Sequence, residues 1–199
     1  MSDLMTPVAP LIAAAPEPVA EAPQPLIGIE PVGLRGMITI RGDLSSKTMK
    51  DAVAKTTGLK KLPGPLSVES NDDTRVVWMS PDELLVFCAY GDADATVARI
   101  DDLMGDAHHM AVNVSDTRAV LRLTGPRVGE VLAKGAPCDC SDHGFPVGTA
   151  RRTHLAGLAV AFWRLEPEVW EIVAMRSYAH HLLAWVEQVS VPGSEVFPA

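Results

Sequence analysis

Two stretches of the chain show the same alternation of apolar and polar positions. Residues 37–42 read MITIRG and residues 120–125 read VLRLTG, and each ends in a glycine at the entry to a helical pattern. A period of two is typical of a β-strand with one buried face. Further along, Trp78 and Trp163 each begin a stretch that contains a hairpin. The glycines are 83 residues apart and the tryptophans 85, which indicates an internal duplication.

Helical periodicity follows the strands in both halves. Ser45 or Ser46 can cap a first helix, and Gly58 is placed to end it. The last helix carries apolar residues at i, i+3, i+4 and i+7, from Leu182 to Val189. Between the helices, hairpin strands are separated by turns such as residues 80–82 and 156–157. Each half is therefore predicted to read strand, helix, two or three hairpin strands, helix.

This order predicts an α+β fold of two fused ferredoxin-like repeats of the β-α-β-β-α type, because antiparallel hairpins place the helices on one face of a sheet. The predicted divisions are an arm at 1–27, a first repeat at 28–106, a second repeat at 107–191 and a tail at 192–199. Residues 1–25 hold six prolines and no aromatic ring. Such a segment buries too little surface to offset its own ordering, so we expect a disordered Pro/Ala-rich arm. Ordering along the surface of a partner is the alternative.

Composition excludes several classes of protein. The 199 residues carry a net charge of −8, which argues against a protein that binds nucleic acid through its phosphates. The apolar runs are far shorter than the roughly 20 residues that span a bilayer, so no membrane segment is expected. Three cysteines cannot all pair within one chain, and the first basic residue is Arg35, which together indicate a reduced, cytoplasmic protein.

Charge is distributed in blocks of opposite sign. Residues 31–61 hold seven Lys and Arg against two acidic residues, a net +5, and residues 62–106 hold ten acidic residues against two Arg, a net −8. These blocks are either the solvated faces of helices and loops or surfaces that attract partners of complementary charge.

No constellation of residues predicts catalysis. Cys138 and Cys140, followed by His143, are soft metal ligands, but the spacing lacks the paired C-x₂₋₄-C of a structural zinc site. The adjacent histidines at 180–181 make a poor chelate, because neighbouring helical residues point in different directions. The histidines at 108–109 are expected in a polar linker between the two halves, and Asp82 and Glu83 are expected to be solvated at a hairpin turn. No glycine-rich phosphate loop is present. We therefore expect no catalytic, cofactor-binding or metal-binding residue in this chain, and the role of the two cysteines is left open.

The tryptophans are the more informative side chains. Trp78 and Trp163 hold equivalent positions in the repeat, which favours packing in the core. Trp170 lies on a strand that is apolar on both faces, so it is the predicted contact with a partner.

Four strings together resemble the gamma subunit of heterotetrameric sarcosine oxidase. They are WMSPDELL at 78–85, VSDTRAVLRLTGP at 114–126, VLAKG at 131–135 and RSYA at 176–179. The resemblance covers roughly residues 28–190 and implies a duplicated fold similar to the tetrahydrofolate-binding aminomethyltransferase domain.

The resemblance also implies a non-catalytic assembly subunit. In that family the alpha subunit carries NAD and the tetrahydrofolate site, the beta subunit carries FAD and FMN, and the delta subunit binds zinc. The complex demethylates sarcosine to glycine with formation of hydrogen peroxide. The alternatives are the matching subunit of an N-methylglutamate dehydrogenase, a stand-alone folate-dependent aminomethyltransferase and, more weakly, a small zinc protein using Cys138, Cys140 and His143.

Overall fold

Ten strands and four helices build the part of the chain that the computed structural model describes, residues 8–11 and 24–196. The strands are β1 Gly28–Pro31, β2 Gly36–Gly42, β3 Val68–Ser70, β4 Arg75–Ser80, β5 Glu83–Cys88, β6 His109–Asn113, β7 Arg118–Thr124, β8 Ala150–Leu155, β9 Leu158–Glu166 and β10 Val169–Met175. The helices are α1 Lys47–Thr57, α2 Ala93–Met104, α3 Val128–Ala133 and α4 Ala179–Val189.

The strands form two five-stranded antiparallel sheets with the same arrangement. The first sheet has the order β6-β2-β5-β4-β3, and the second has the order β1-β7-β10-β9-β8. In the first sheet β2, α1, β4, β5, α2 and β6 follow one another as a ferredoxin-like β-α-β-β-α-β unit, to which β3 adds an edge. The predicted α+β class and the predicted duplication are confirmed.

The two units exchange one strand each, which the division at residue 106 did not anticipate. β1 precedes β2 in the chain but pairs with β7 in the second sheet, and β6 precedes β7 but pairs with β2 in the first. Each sheet is therefore completed by a strand from the other half of the chain, so neither predicted repeat is an independent unit.

The sheets pack face to face, with the helices on the outside. A buried cluster drawn only from strands of both sheets fills the layer between them and includes Phe87 and Trp163. A second cluster packs α1 and α2 on the first sheet, and a third packs α3 and α4 on the second. The molecule thus has four layers, helix, sheet, sheet and helix. Among the described residues, none of the helices has the length and apolar content of a bilayer-spanning segment.

The two tryptophans used as landmarks are not structurally equivalent. In the hairpins β4–β5 and β9–β10, the first strand ends at Ser80 and at Glu166, so equivalent positions are 86 residues apart. The counterpart of Trp78 is therefore Arg164, not Trp163. Trp163 is fully buried between the sheets, whereas Trp78 is half-buried on the helix side of its own sheet. A shift of one residue reverses the face to which a strand side chain points. The core prediction is therefore right for Trp163 and only partly right for Trp78.

Local signals in the sequence explain the ends of several elements. The Ser46 hydroxyl accepts a hydrogen bond from the Met49 N–H at 3.2 Å and caps α1, and Gly58 ends that helix with φ of 71°. The turn between β8 and β9 places Ala156 and Gly157 at φ of 51° and 83°, as a tight two-residue hairpin requires. The last helix starts at Ala179, after a short 3₁₀ turn that contains Ser177.

Parts of the predicted N-terminal arm pack on the second unit. Ala9, Leu11 and Ile27 are buried, the latter two in the core shared with α3 and α4. The Leu26 N–H donates to the Ser190 carbonyl at 2.7 Å, and the Arg176 guanidinium donates to the Val8 carbonyl at 3.0 Å. These segments are ordered, unlike the expectation for 1–27. The rest of that arm, 1–7 and 12–23, lies outside the described residues.

Candidate functional site

A buried carboxylate in the layer between the sheets holds three arginines. Glu171 on β10 is fully buried and lies directly opposite Arg122 on β7, whose guanidinium donates to it at 3.0 Å. Arg35, just before β2, reaches the same carboxylate at 3.2 Å, and Arg75 on β4 also donates to it. Glu171 and Arg122 belong to the second sheet, whereas Arg35 and Arg75 come from the first unit. The cluster therefore joins the two halves of the molecule.

The charge on Glu171 is stabilised by its surroundings. Burial acting alone would raise the pKa of this carboxyl group, but the attraction of Arg75, Arg35 and Arg122 outweighs burial, and the pKa lies below its ordinary value. Burial lowers the pKa of Arg75, against the attraction of Glu171. A carboxylate whose two oxygens accept from three guanidinium groups is poorly placed to accept a proton from a substrate. We assign Glu171 a structural role.

A second buried carboxylate makes a similar connection. Glu83 on β5 is 4% exposed and accepts from Arg41 of β2 at 2.6 Å and from Arg152 of β8 at 3.3 Å. Because β8 belongs to the other sheet, this cluster also spans the interface. The expectation that Glu83 is solvated is wrong, since its side chain points between the sheets, whereas Asp82 remains exposed at the turn.

Trp170 is a core residue. Its side chain is 2% exposed and its ring centroid lies 4.7 Å from that of Phe145, while the Arg164 guanidinium lies 5.2 Å above the ring. The helix-side face of β10 is covered by the cluster that α3 and α4 complete, so the apolar character of the strand reflects burial on both faces. With 2% of its surface exposed, Trp170 offers almost no area to a partner, so its burial does not support the prediction that it is a partner contact.

The cysteine pair lies at a groove of about 370 Å³ on the second unit. The sulfur atoms of Cys138 and Cys140 are 3.8 Å apart. The pKa of the Cys140 thiol lies well above its ordinary value, mainly because the thiol is buried and also because Cys138 lies beside it. A buried thiol with a raised pKa is a poor nucleophile. Within residues 8–11 and 24–196, no three His, Cys, Asp or Glu side chains are grouped so that they could hold a metal ion.

The other polar candidates make structural contacts. His109 lies in β6 rather than in a linker, and its ring bonds the Ala107 carbonyl at 2.7 Å and the Asp101 carboxylate at 2.8 Å. The first of these bonds is the larger cause of a raised His109 pKa. The Ser115 hydroxyl accepts from the Met37 N–H at 2.9 Å and donates to the Asn113 side chain at 2.5 Å. These contacts tie β6 to α2 and to β2.

The half-buried Trp78 lies at a groove of about 680 Å³ on the first unit. The groove runs between α1 and the segment after it, and its rim carries Lys50, Lys60 and Lys61 from the positively charged block. Lys61 is paired with Glu69 at 2.9 Å.

The interfacial arginines and glutamates were missed from the sequence. Two of them lie within otherwise apolar strands, Glu171 within VWEIV and Arg122 within VLRLT. A charged residue at a position whose alternate neighbours are buried is the signal that could have revealed them, because such a charge needs a partner in the interior.

Comparison with known proteins places the chain in one family. The sequence model of the sarcosine oxidase, gamma subunit family matches residues 41–192. The chain belongs to this family.

Individual relatives agree with the family match. A sarcosine oxidase subunit gamma from Corynebacterium sp. (strain U-96) is 30% identical over 177 residues, which are 88% of this chain and 84% of the relative. A subunit gamma from Corynebacterium sp. (strain P-1) is 31% identical over 151 residues, 76% of this chain and 72% of that one.

Solved structures show the same relationship at the level of the fold. A chain of the heterotetrameric sarcosine oxidase from Corynebacterium sp. U-96, determined with pyrrole 2-carboxylate, superposes with a TM-score of 0.81 at 27% identity, covering 96% of this chain and 98% of that chain. The glycine cleavage system aminomethyltransferase T from Bartonella henselae superposes with a TM-score of 0.55 at 14% identity, covering 82% of this chain and 46% of that chain. The second match shows a shared fold, and the resemblance to aminomethyltransferases expected from the sequence is confirmed at that level.

Proposed function

We propose that this chain is the gamma subunit of a heterotetrameric sarcosine oxidase and that it serves the assembly of the complex rather than its chemistry. The observation that carries the proposal is the end-to-end superposition on a chain of the Corynebacterium heterotetramer, which covers 96% of this chain and 98% of that one.

The side chains of the interior support a non-catalytic role. Glu171 and Glu83, the buried carboxylates, are saturated by arginines from both sheets. The Cys140 thiol is buried and has a raised pKa. A general base or nucleophile requires a group that can reach a substrate in the correct protonation state, and these groups are already used to hold the fold together.

In this proposal the chemistry belongs to the partner subunits. The complex is a cytoplasmic oxidoreductase in which NAD and tetrahydrofolate bind to the alpha subunit, FAD and FMN to the beta subunit and zinc to the delta subunit. It converts sarcosine to glycine, transfers the one-carbon unit to tetrahydrofolate and forms hydrogen peroxide. The gamma chain contributes surface and rigidity.

The alternatives have less support. A subunit of an N-methylglutamate dehydrogenase would use the same fold, but the relatives reported above are gamma subunits of sarcosine oxidase. A stand-alone aminomethyltransferase would share the fold of the Bartonella enzyme, but at 14% identity that match supports the fold alone.

The test is reconstitution with and without this chain. We expect the isolated chain to show no flavin absorbance and no sarcosine-dependent formation of hydrogen peroxide, and the co-expressed alpha, beta and delta subunits to form a stable active complex only when the chain is present. Turnover by the isolated chain, or full assembly and activity without it, would contradict the proposal. Assay with N-methylglutamate in place of sarcosine separates the two oxidoreductase alternatives.

A further inference from the structure

The two sheets have four edge strands, and three of them carry features that prevent pairing with another strand. β1 is four residues long and ends in Pro31. β3 has three residues, and its entry is bonded to the start of β8 through the Ser67 and Thr149 bridge. β8 carries Arg151 and Arg152. Short length, proline and charge are the devices by which natural proteins protect sheet edges.

The fourth edge, β6, has none of these features. It runs from His109 to Asn113 with the sequence HMAVN, which contains no proline, lysine or arginine, and it pairs with β2 without a bulge. Within the described residues, β2 is its only neighbour in the sheet.

Among the described residues, the outward backbone groups of β6 have no strand to pair with along this edge. The Gly42 N–H donates to the Asp82 carbonyl, so the backbone groups of Gly42 point toward β5. Because successive residues of a strand point their backbone groups to opposite sides, those of Thr39 and Arg41 point toward β6. Their partners in β6, Val112 and Met110, therefore face β2. The alternate residues His109, Ala111 and Asn113 direct their N–H and C=O groups away from the sheet. In β1 the residues whose backbone groups point away from the sheet are Ile29 and Pro31, and proline has no N–H that could donate to another strand.

The side chains beside this edge are apolar and partly exposed. Met110 is 39% exposed and Val112 is 43% exposed. They lie opposite Arg41 and Thr39 on β2, on the face of the first sheet that turns toward the second sheet. This part of the face extends beyond the cover of the second sheet, as the exposure of both residues shows.

Arginines surround this apolar patch. Arg41 lies across from Met110, Arg118 donates to the Thr39 hydroxyl at 3.5 Å, and Arg152 shares Glu83 with Arg41. The Arg118 Nε is buried and has no hydrogen-bond partner among the described residues. On the face toward the second sheet three arginines lie beside two carboxylates, Glu83 and Asp82, so this face has an excess of positive charge. The opposite, helix side of the edge carries Asp94 and Asp101 of α2.

We propose that the β6 edge is the docking surface for an extended segment of another subunit of the oxidase, a segment that carries both apolar and acidic side chains on the face toward the second sheet and adds as a sixth strand to the first sheet. The inference rests on the proposed function. Strand addition satisfies the outward backbone groups of His109, Ala111 and Asn113, apolar side chains cover Met110 and Val112, and carboxylates meet the arginines. A second copy of this chain fits less well, because antiparallel pairing of two β6 strands would bring two groups of arginines onto one face.

The experiment compares variants in the reconstituted complex. Ala111→Pro removes an outward N–H at an edge position, where proline is compatible with the sheet. The double variant Met110→Thr/Val112→Thr keeps β-branched or strand-forming residues and removes the apolar contact. We expect each to weaken binding to the other subunits by at least about tenfold, with the circular dichroism spectrum of the isolated chain unchanged. Val191→Thr, at a valine that is 48% exposed after α4, is the matched control and should assemble normally.

Amide hydrogen exchange gives an independent readout. The amides of His109, Ala111 and Asn113 should exchange rapidly in the isolated chain and become protected in the complex. Normal assembly by Ala111→Pro, or amides that stay unprotected in the complex, would overturn this inference alone. Protection already present in the isolated chain would also overturn it, by assigning the edge to the chain's own N-terminal segment or to a second copy. Failure of the wild-type chain to assemble would overturn the proposed function and this inference together.

Discussion

Replacing Glu171 with glutamine tests whether the arginine cluster holds the two sheets together. The substitution keeps the size of the side chain and removes the charge that Arg35, Arg75 and Arg122 share. Removing one partner of a buried ion pair typically costs about 3–5 kcal/mol, because the remaining charges stay in the interior without compensation. The side chains of Arg35, Arg75 and Arg122 are 22%, 16% and 34% exposed in the folded chain, so water can still hydrate part of each guanidinium group. We therefore expect the free energy of unfolding to fall by about 3 kcal/mol, at the lower end of that range.

Urea unfolding of the isolated chain measures the change in the free energy of unfolding. In thermal unfolding, the melting temperature should fall by about 6–12 °C for a chain of this size. Asp51→Asn is the matched control, because the Lys47–Asp51 pair is exposed on α1 and its loss should leave the stability almost unchanged. Glu83→Gln should give an intermediate loss, since Arg41 and Arg152 are about half exposed. If Glu171→Gln destabilises the chain no more than Asp51→Asn does, the assignment of the cluster as an inter-sheet connection is refuted.

The pH dependence supplies a second check on Glu171. Its pKa in the folded chain lies below the ordinary value of 4.5, so its contribution to stability is present above that value and is lost as the pH falls through the folded pKa. The difference in unfolding free energy between the wild type and Glu171→Gln should be constant from about pH 5 to 8 and should narrow below about pH 4. A difference that grows with acidification would contradict the assignment.

Three further predictions follow from other parts of the fold. Trp170→Ala should lower the unfolding free energy of the isolated chain by about 3–5 kcal/mol, whereas a surface role would leave stability unchanged and impair only assembly. His109→Asn should destabilise the chain most at pH values below 6.5, the ordinary pKa of histidine. The pKa of His109 is raised in the folded chain, so the stability that its charged ring contributes is lost as the pH rises through the folded pKa. Urea titrations at about pH 5.5 and about pH 9 measure the difference. Ala156→Asn should raise the unfolding free energy by about 0.5–1 kcal/mol, because asparagine tolerates the φ of 51° better than alanine, and an unchanged melting temperature would count against strain at this turn.

Several structural features followed from short-range signals in the sequence. The cap at Ser46, the end of α1 at Gly58 and the hairpin at residues 156–157 were predicted because each depends on residues within one or two turns of chain. The duplication was also visible, since β2 and β7 repeat the same apolar alternation before a glycine. The family strings pointed to the gamma subunit, and the match to residues 41–192 confirmed the family.

Errors arose where the outcome depended on which face of a strand becomes covered. Trp78 and Trp163 were aligned because they are the same residue type, yet the register of the hairpins sets them on opposite faces. Trp170 was predicted to contact a partner because its strand is apolar on both sides, and both sides are buried within this chain. The sequence of a strand shows whether each of its two faces is apolar or polar, but it does not show which other part of the protein packs on each face.

The sequence by itself determined the α+β class, the duplicated order of strands and helices, and the family. Only the tertiary structure decided that β1 and β6 exchange sheets, that the sheets face each other, and that Glu171 and Glu83 lie between them. The physical reason is the range of the interactions. Turn and cap preferences act between near neighbours and are written locally, whereas strand exchange and buried ion pairs join residues as far apart as Arg35 and Glu171, whose proximity exists only after the two sheets have packed.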